Sequence, residues 1–367
     1  MVVHNSAKLS DHISALIRVD GPLTVARYMN EVLNNPTLGY YANNNPIGKA
    51  GDFVTAPEIS QMYGELVSAW LIDCWERLGK PDPVVLVELG PGRGTFISDL
   101  WRVAMMVPKF AAAVTIYLVE SSPVLREQQK QRLQSLVGAE RLTWVRQFTE
   151  IPDVPFLLVA NEFFDALPVH QFVRSRGRWR ERLVDVDPNE DNKFCYVIGP
   201  YTPTISLIAP GVNVMGNSLE ICPTGILLAE TIGEKLCQVP GAALIVDFGL
   251  ESSGLTFQAV MSHSTCDPLT NVGEADLSCA VDFGALGSAA IRAGARIHGP
   301  VSQGTLLRSL GIEERAAALM KNVDDDTARL VVQGKERLTG PSFMGQLFQA
   351  LAISSQALSS VEGFNGP

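Results

Sequence analysis

No two of the six cysteines, Cys74, Cys195, Cys222, Cys237, Cys266 and Cys279, are spaced Cys-x-x-Cys. That removes the ligand spacing of a zinc ribbon or finger, and six thiols in 367 residues are too sparse for a disulfide scaffold. His263 and Cys266 alone stand at a metal-ligand spacing, with no second pair nearby, so no metal is expected. The thiols read as buried or half-buried groups in a reducing compartment. Basic residues are outnumbered: 29 Lys and Arg face 39 Asp and Glu, a net charge of −10. A surface for duplex DNA or bulk RNA needs clustered cations, so nucleic acid is excluded and a basic protein segment is the better electrostatic partner. No apolar run approaches the roughly 20 residues needed to span a bilayer. The opening MVVHNSAKLSDHI has no apolar signal core and carries an early acid, Asp11. It reads as neither a secretory signal nor an Arg-rich transit peptide, which makes a cytoplasmic location the expectation.

Hydrophobic residues make up 46% of the chain and charged residues 19%, the balance of a globular protein with a large core. Residues 7–34 have helical periodicity broken at Asp20-Gly21-Pro22, and residues 35–54 form a long Gly-, Asn- and Pro-rich loop. Thr55-Ala56-Pro57-Glu58 has the pattern of a capping box opening a helix to about Leu78. Val84–Leu89 is a continuous apolar run, as in a strand buried on both faces. Further strands are read at 114–119, 142–145, 156–160 and 243–248, with helices over 95–105 and from Ser122-Pro123 to about Val137. This alternation predicts an α/β fold, a doubly wound, mainly parallel sheet of the Rossmann-like class. Three regions are expected. Residues 1–80 would be a helical and loop region closing over the site, and 81–353 a core with an insertion at about 171–240. Residues 354–367 would be a flexible tail. Residues 171–186 alternate about an Arg-Gly-Arg centre, the mark of a hairpin.

The most informative stretch is Glu88-Leu-Gly-Pro-Gly-Arg-Gly94, where a buried strand ends in Gly90, Gly92 and Gly94 and turns into a helix. Glycines admit positive φ and close ligand approach, and open α/β sheets bind ligands at the carboxyl ends of their strands. A dinucleotide fingerprint, G-x-G-x-x-G, would need glycine at position 95, where Thr95 stands, and Pro91 removes an amide that a pyrophosphate would use. S-adenosylmethionine carries no phosphate. It needs room for its methionyl tail and an acid for the ribose diol, and Glu120 ends the second strand. The pattern therefore favours a methyl donor. Arg93 fits a ligand carboxylate and a solvated loop charge equally well.

Asn161-Glu162-Phe163-Phe164-Asp165-Ala166-Leu167-Pro168 follows the fourth strand and puts two carboxylates, Glu162 and Asp165, beside the expected donor. Methyl transfer is an in-line displacement in which alignment supplies much of the catalysis. A carboxylate pair suits a guanidinium, whose pKa is about 12.5–13.8, because bidentate pairing can localise its charge and free one nitrogen to attack. Glu162 and Asp165 are the catalytic candidates. The structural alternative makes Asp165 a helix cap and Glu162 half of an ion pair. His170 reads as structural. His263 falls in a polar loop, and Asp247-Phe248-Gly249 ends the fifth strand as either site residues or a simple turn.

Taken together, these residues resemble the MidA-type methyltransferases, a family that includes the mitochondrial complex I assembly factor that methylates arginine. The shared blocks are Gly39-Tyr-Tyr41, Gly51-Asp-Phe-Val-Thr-Ala-Pro-Glu-Ile-Ser-Gln61, Glu88–Gly94, Asn161–Pro168, Asp267-Pro268, Asp282-Phe283 and Met344-Gly-x-Leu-Phe348. They span about residues 20–350. The resemblance implies that Gly90, Gly92, Gly94 and Glu120 bind the donor and that Asp52 and Thr55 help close its pocket. It also implies symmetric dimethylation of an arginine on the quinone-site subunit of NADH dehydrogenase, and a homodimer is compatible with it. Two departures bear on the acceptor. The fifth strand ends Val-Asp-Phe-Gly where the family usually has a tyrosine, and Thr256-Phe-Gln-Ala-Val260 lacks the family's basic residues. The missing presequence points to a bacterial member. A small-molecule methyltransferase and a donor-binding assembly chaperone with little activity are the alternatives.

Overall fold

Apolar runs that cannot face water become the strands of a seven-stranded sheet: β1 (Val84–Leu89), β2 (Val114–Val119), β3 (Leu142–Val145), β4 (Phe156–Asn161), β5 (Gly241–Phe248), β6 (Arg296–Ser302) and β7 (Phe348–Ser354). Their order is β6-β7-β5-β4-β1-β2-β3. Pairing from β3 through β2, β1 and β4 to β5 is parallel, whereas β7 runs antiparallel to both β5 and β6. All six residues of β1 and all six of β4 are buried, as central strands covered on both faces must be. The chain steps outward from β1 to β3 and then returns to β4 on the other side of β1. That reversal opens a crevice at the carboxyl ends of β1 and β4.

The computed structural model describes residues 2–43, 54–190, 193–201, 216–249, 254–261 and 264–364. The sheet belongs to one of two compact units, built from residues 55–164, 227–249 and 282–367. Its core joins Trp70 and Trp75 of the helix Gln61–Arg77 to Leu86, Leu157 and Leu244 of the strands. Leu358 and Val361 add to this core, and the Trp70 indole donates to the Glu362 carbonyl at 3.0 Å, so residues 358–362 are packed.

Local signals fix several helix ends. Ser122 Oγ accepts from the Leu125 amide at 3.3 Å and Pro123 opens the helix Pro123–Val137. The capping box read at Thr55–Glu58 does not form. Thr55 makes no side-chain cap, the four-residue helix Ala56–Ile59 stops at an extended Ser60, and Ser60 caps the long helix that follows. Glu58 turns away to the Thr95 hydroxyl, and that hydrogen bond outcompetes the local one.

The other unit comprises residues 1–54, 165–226 and 250–281. The predicted hairpin is there: His170–Ser175 pairs with Arg178–Val186 across Arg176 (φ 51°) and Gly177 (φ 75°). Leu23–Thr24, Phe194–Tyr201 and Ser218–Ile221 extend this sheet, and Gln258–Met261, Ser264–Cys266 and Asp276–Ser278 form a second. The helices Val2–Asp20 and Val25–Asn34 break where the Asp20-Gly21-Pro22 signal falls, and Thr24 caps the second by accepting from the Arg27 amide. Leu9, Ile13, Tyr28, Val184 and Leu277 share this unit's core. No described helix is long and apolar enough to cross a membrane.

Candidate donor site and acceptor carboxylates

The three loop glycines have the conformation that explains them. Gly90, Gly92 and Gly94 sit at φ 61°, 52° and 75°, in the left-handed region that costs an L-residue roughly 1 kcal/mol or more. At Gly90 a Cβ would also stand 2.7 Å from the Phe163 ring. The Gly90 amide donates to the Val119 carbonyl at 3.0 Å, which ties the loop to the end of β2.

Glu120 follows directly. It is buried, with Oε1 accepting from the Ser122 amide at 2.8 Å and Oε2 from Gln129 Nε2 at 3.2 Å. Burial raises its carboxyl above the ordinary value, while these donors pull the other way. Gln129 is a residue that sequence reasoning missed. The same Nε2 donates to the Gly92 carbonyl at 2.7 Å, and Oε1 accepts from the Trp144 indole at 2.9 Å. One amide therefore locks the glycine loop to the acid after β2. A glutamine in an amphipathic helix carries no sequence signal for such a task.

Glu88 was also missed, although a carboxylate in an otherwise apolar strand was visible. It lies on β1 two residues before Gly90, is 4% exposed, and its Oε2 has no hydrogen-bond partner among the described residues. Burial, with help from Glu120, pushes its carboxyl up to about 8. A buried polar atom without a partner costs free energy unless a ligand satisfies it.

At the end of β4, Glu162 takes φ 51° although it is not glycine, and its amide donates to the Val246 carbonyl at 2.9 Å. Its Oε1 accepts from the Ala56 amide at 2.7 Å and from Asn161 Nδ2 at 3.0 Å. Asn161 Oδ1 in turn accepts from the Tyr63 hydroxyl. Asp247 is fully buried and holds the next turn, its Oδ2 accepting from the Phe163 and Phe164 amides at 3.0 and 2.8 Å. Thr55 meets this group through its neighbour Ala56. Arg93 stands 3.9 Å from Glu58, in a loop charge pairing.

Asp165 belongs to the other unit. No helix follows it, so it caps none; its carbonyl accepts from the Cys279 amide at 2.9 Å. Burial pushes its carboxyl up to about 7, against the pull of its own amide and that of Ala166. Nearby in that unit, the Tyr41 hydroxyl donates to Asp276 Oδ1 at 3.2 Å, and burial and the charges of Asp276 and Asp165 raise its pKa. His170 is held by Glu181 at 2.6 Å and stacks on Phe172, as a structural histidine does. Asp52 and His263 lie outside the described residues. Among the described residues, no three His, Cys, Asp or Glu side chains are grouped to hold a metal ion.

Residues 66–301 match the profile of a family described as S-adenosyl-L-methionine-dependent methyltransferases. A mitochondrial protein from Bos taurus, named protein arginine methyltransferase NDUFAF7, is 37% identical over 93% of this chain and 82% of its own length. The Drosophila melanogaster homologue, also named mitochondrial, is 37% identical over 94% of this chain and 84% of its own. A structure from Burkholderia thailandensis, solved with S-adenosyl-homocysteine, superposes with a TM-score of 0.81 at 23% identity, covering 100% of this chain and 94% of that one. The expectation of a bacterial, cytoplasmic protein is overturned by these relatives, which are named as mitochondrial. It rested on charge and apolarity in the first residues, which are a weak guide to location.

Proposed function

The chain belongs to the S-adenosyl-L-methionine-dependent methyltransferases matched over residues 66–301, and from that premise we propose that it methylates arginine on a protein, the quinone-site subunit of NADH dehydrogenase. The carrying observation is Glu162, a carboxylate held at the carboxyl end of β4 in a strained backbone conformation. The naming of relatives about 35% identical over 94% of the chain as protein arginine methyltransferases supports the same reading.

S-adenosylmethionine, when bound, supplies an electrophilic methyl group on a sulfonium. The residues present fit it. Gly90, Gly92 and Gly94 leave room for its backbone-like tail. Glu120, already anchored by Ser122 and Gln129, keeps lone pairs for the ribose hydroxyls. The orphan oxygen of Glu88 suits the donor's ammonium. Thr55, whose neighbour Ala56 reaches Glu162, completes the assignment as a residue that helps close this pocket. Glu162 is assigned to the acceptor guanidinium, and Asp165, with its carboxyl raised to about 7, to the proton released on transfer. The acidic charge balance of the chain favours such a basic segment.

Isothermal titration with S-adenosylmethionine, S-adenosyl-homocysteine and NADH tests the donor half. Both sulfur compounds are expected to bind, and Gly92→Val to weaken them at least about tenfold, because valine at φ 52° is strained and displaces the loop from Gln129. Binding of NADH alone would reverse the assignment. Transfer of labelled methyl to the recombinant subunit, followed by mass spectrometry of its arginines, tests the acceptor half.

A further inference from the structure

The carboxylate of Glu162 is not held by its own segment alone. Its Oε1 takes one hydrogen bond from Ala56, 106 residues earlier in the chain, and one from its neighbour Asn161. Asn161 is then engaged by Tyr63 of the helix Gln61–Arg77. This chain of polar contacts has only one consistent direction. The Ala56 amide can only donate. A carboxylate oxygen can only accept, so Asn161 must present its amide nitrogen to Glu162 and its carbonyl oxygen to Tyr63. Tyr63 must then donate, and it remains able to: the phenol is fully buried, and burial with the charges of Glu162, Asp247 and Glu88 raises its pKa well above the ordinary value. Reversing the Asn161 amide would set two oxygens against each other.

We infer that Tyr63 and Asn161 are positioning residues that fix the plane of the Glu162 carboxylate for the methyl acceptor. Two donors converge on one oxygen, the Ala56 amide and the Asn161 side chain that Tyr63 orients, at a position whose backbone is left-handed without being glycine. Such a turn by itself favours glycine or asparagine, whereas this position carries a carboxylate whose oxygen is held by a donor from a distant segment. The inference also gives a physical reason for the Thr55-Ala56-Pro57-Glu58 block: it delivers a backbone amide to the block at 161–168.

The inference rests on the reading that Glu162 meets the acceptor, and its test separates the two. Methyl transfer to the recombinant quinone-site subunit is measured for wild type, Tyr63→Phe, Glu162→Gln and the double variant, with donor affinity by isothermal titration. Tyr63→Phe is expected to lower kcat about tenfold with donor affinity unchanged, and the double variant to be no slower than Glu162→Gln alone, as for residues acting through one group. Multiplying effects, or a loss of kcat matched by a loss of donor affinity, would overturn it. A crystal structure of Tyr63→Phe gives the second readout. A displaced or rotated Glu162 carboxylate is expected, and an unmoved one overturns the inference even if the chosen subunit proves to be no substrate. Full turnover in Glu162→Gln would instead sink the functional reading.

Discussion

Glu162→Gln is expected to reduce methyl transfer by about one hundred- to one thousandfold while leaving the fold intact, the scale on which positioned acid–base groups act. Glutamine can still offer an oxygen to Ala56 and Asn161, so the turn survives. What disappears is the negative charge that holds a guanidinium. The partner substitution has a signature in pH. The Asp165 carboxyl is raised to about 7, so its basic form appears as pH rises through 7, and wild-type kcat/KM should climb over that interval. Asp165→Asn should be slow and lose that limb. Kinetics from pH 5.5 to 8.5 decide it. If both variants turn over at the wild-type rate, neither carboxylate takes part and the acceptor assignment falls.

A second large effect concerns stability, with the opposite sign from most substitutions at a site. Glu88 is raised to about 8 in the folded protein, from about 4.3 in an unfolded chain. A carboxyl raised on folding opposes the native state once it ionises. Its cost is absent below about pH 4.5, grows through the interval up to pH 8 and is complete above it. Glu88→Gln removes the ionisable group, so the variant should be more stable than wild type at pH 9, on the order of 5 kcal/mol, with the difference falling to about 1 kcal/mol at pH 5. Urea unfolding at the two pH values measures the difference. A pH-independent difference would mean that packing, not charge, governs the position. The same variant should bind S-adenosylmethionine about tenfold more weakly, the usual conflict between a stable site and a working one.

The parts of this protein legible in its sequence are those in which local chemistry decides. Val84–Leu89 had to be a buried strand because five apolar residues in six positions leave no face for water, and Ser122-Pro123 could hardly be other than a helix start. The glycine loop was readable because positive φ selects its residue type. Legibility failed where a distant partner outcompetes a near one. Thr55 and Glu58 have the right residues for a capping box, yet Glu58 serves Thr95. Gln129 and Tyr63 look like ordinary helix residues, and their roles exist only through Gly92 and Asn161. The unit assembled from residues 1–54, 165–226 and 250–281 was not foreseen as one body. Its sheet depends on pairings such as Leu23 with Val184, which leave no periodic trace.

The place of β7 has a consequence for how the chain must be made. Synthesis runs from the N-terminus, so β7 is the last of the seven strands to leave the ribosome, yet it lies between β5 and β6. Until residues 348–354 emerge, β5, buried along almost its whole length in the finished protein, presents an open apolar edge. β6 has no strand to pair with in that interval. The sheet therefore cannot close progressively during translation. Its completion is a late insertion into a waiting gap, and the nascent protein passes through an interval in which pairing with other chains competes with its own. A nonsense codon before residue 348 would not trim this fold at its margin; it would remove a strand from the interior of the sheet.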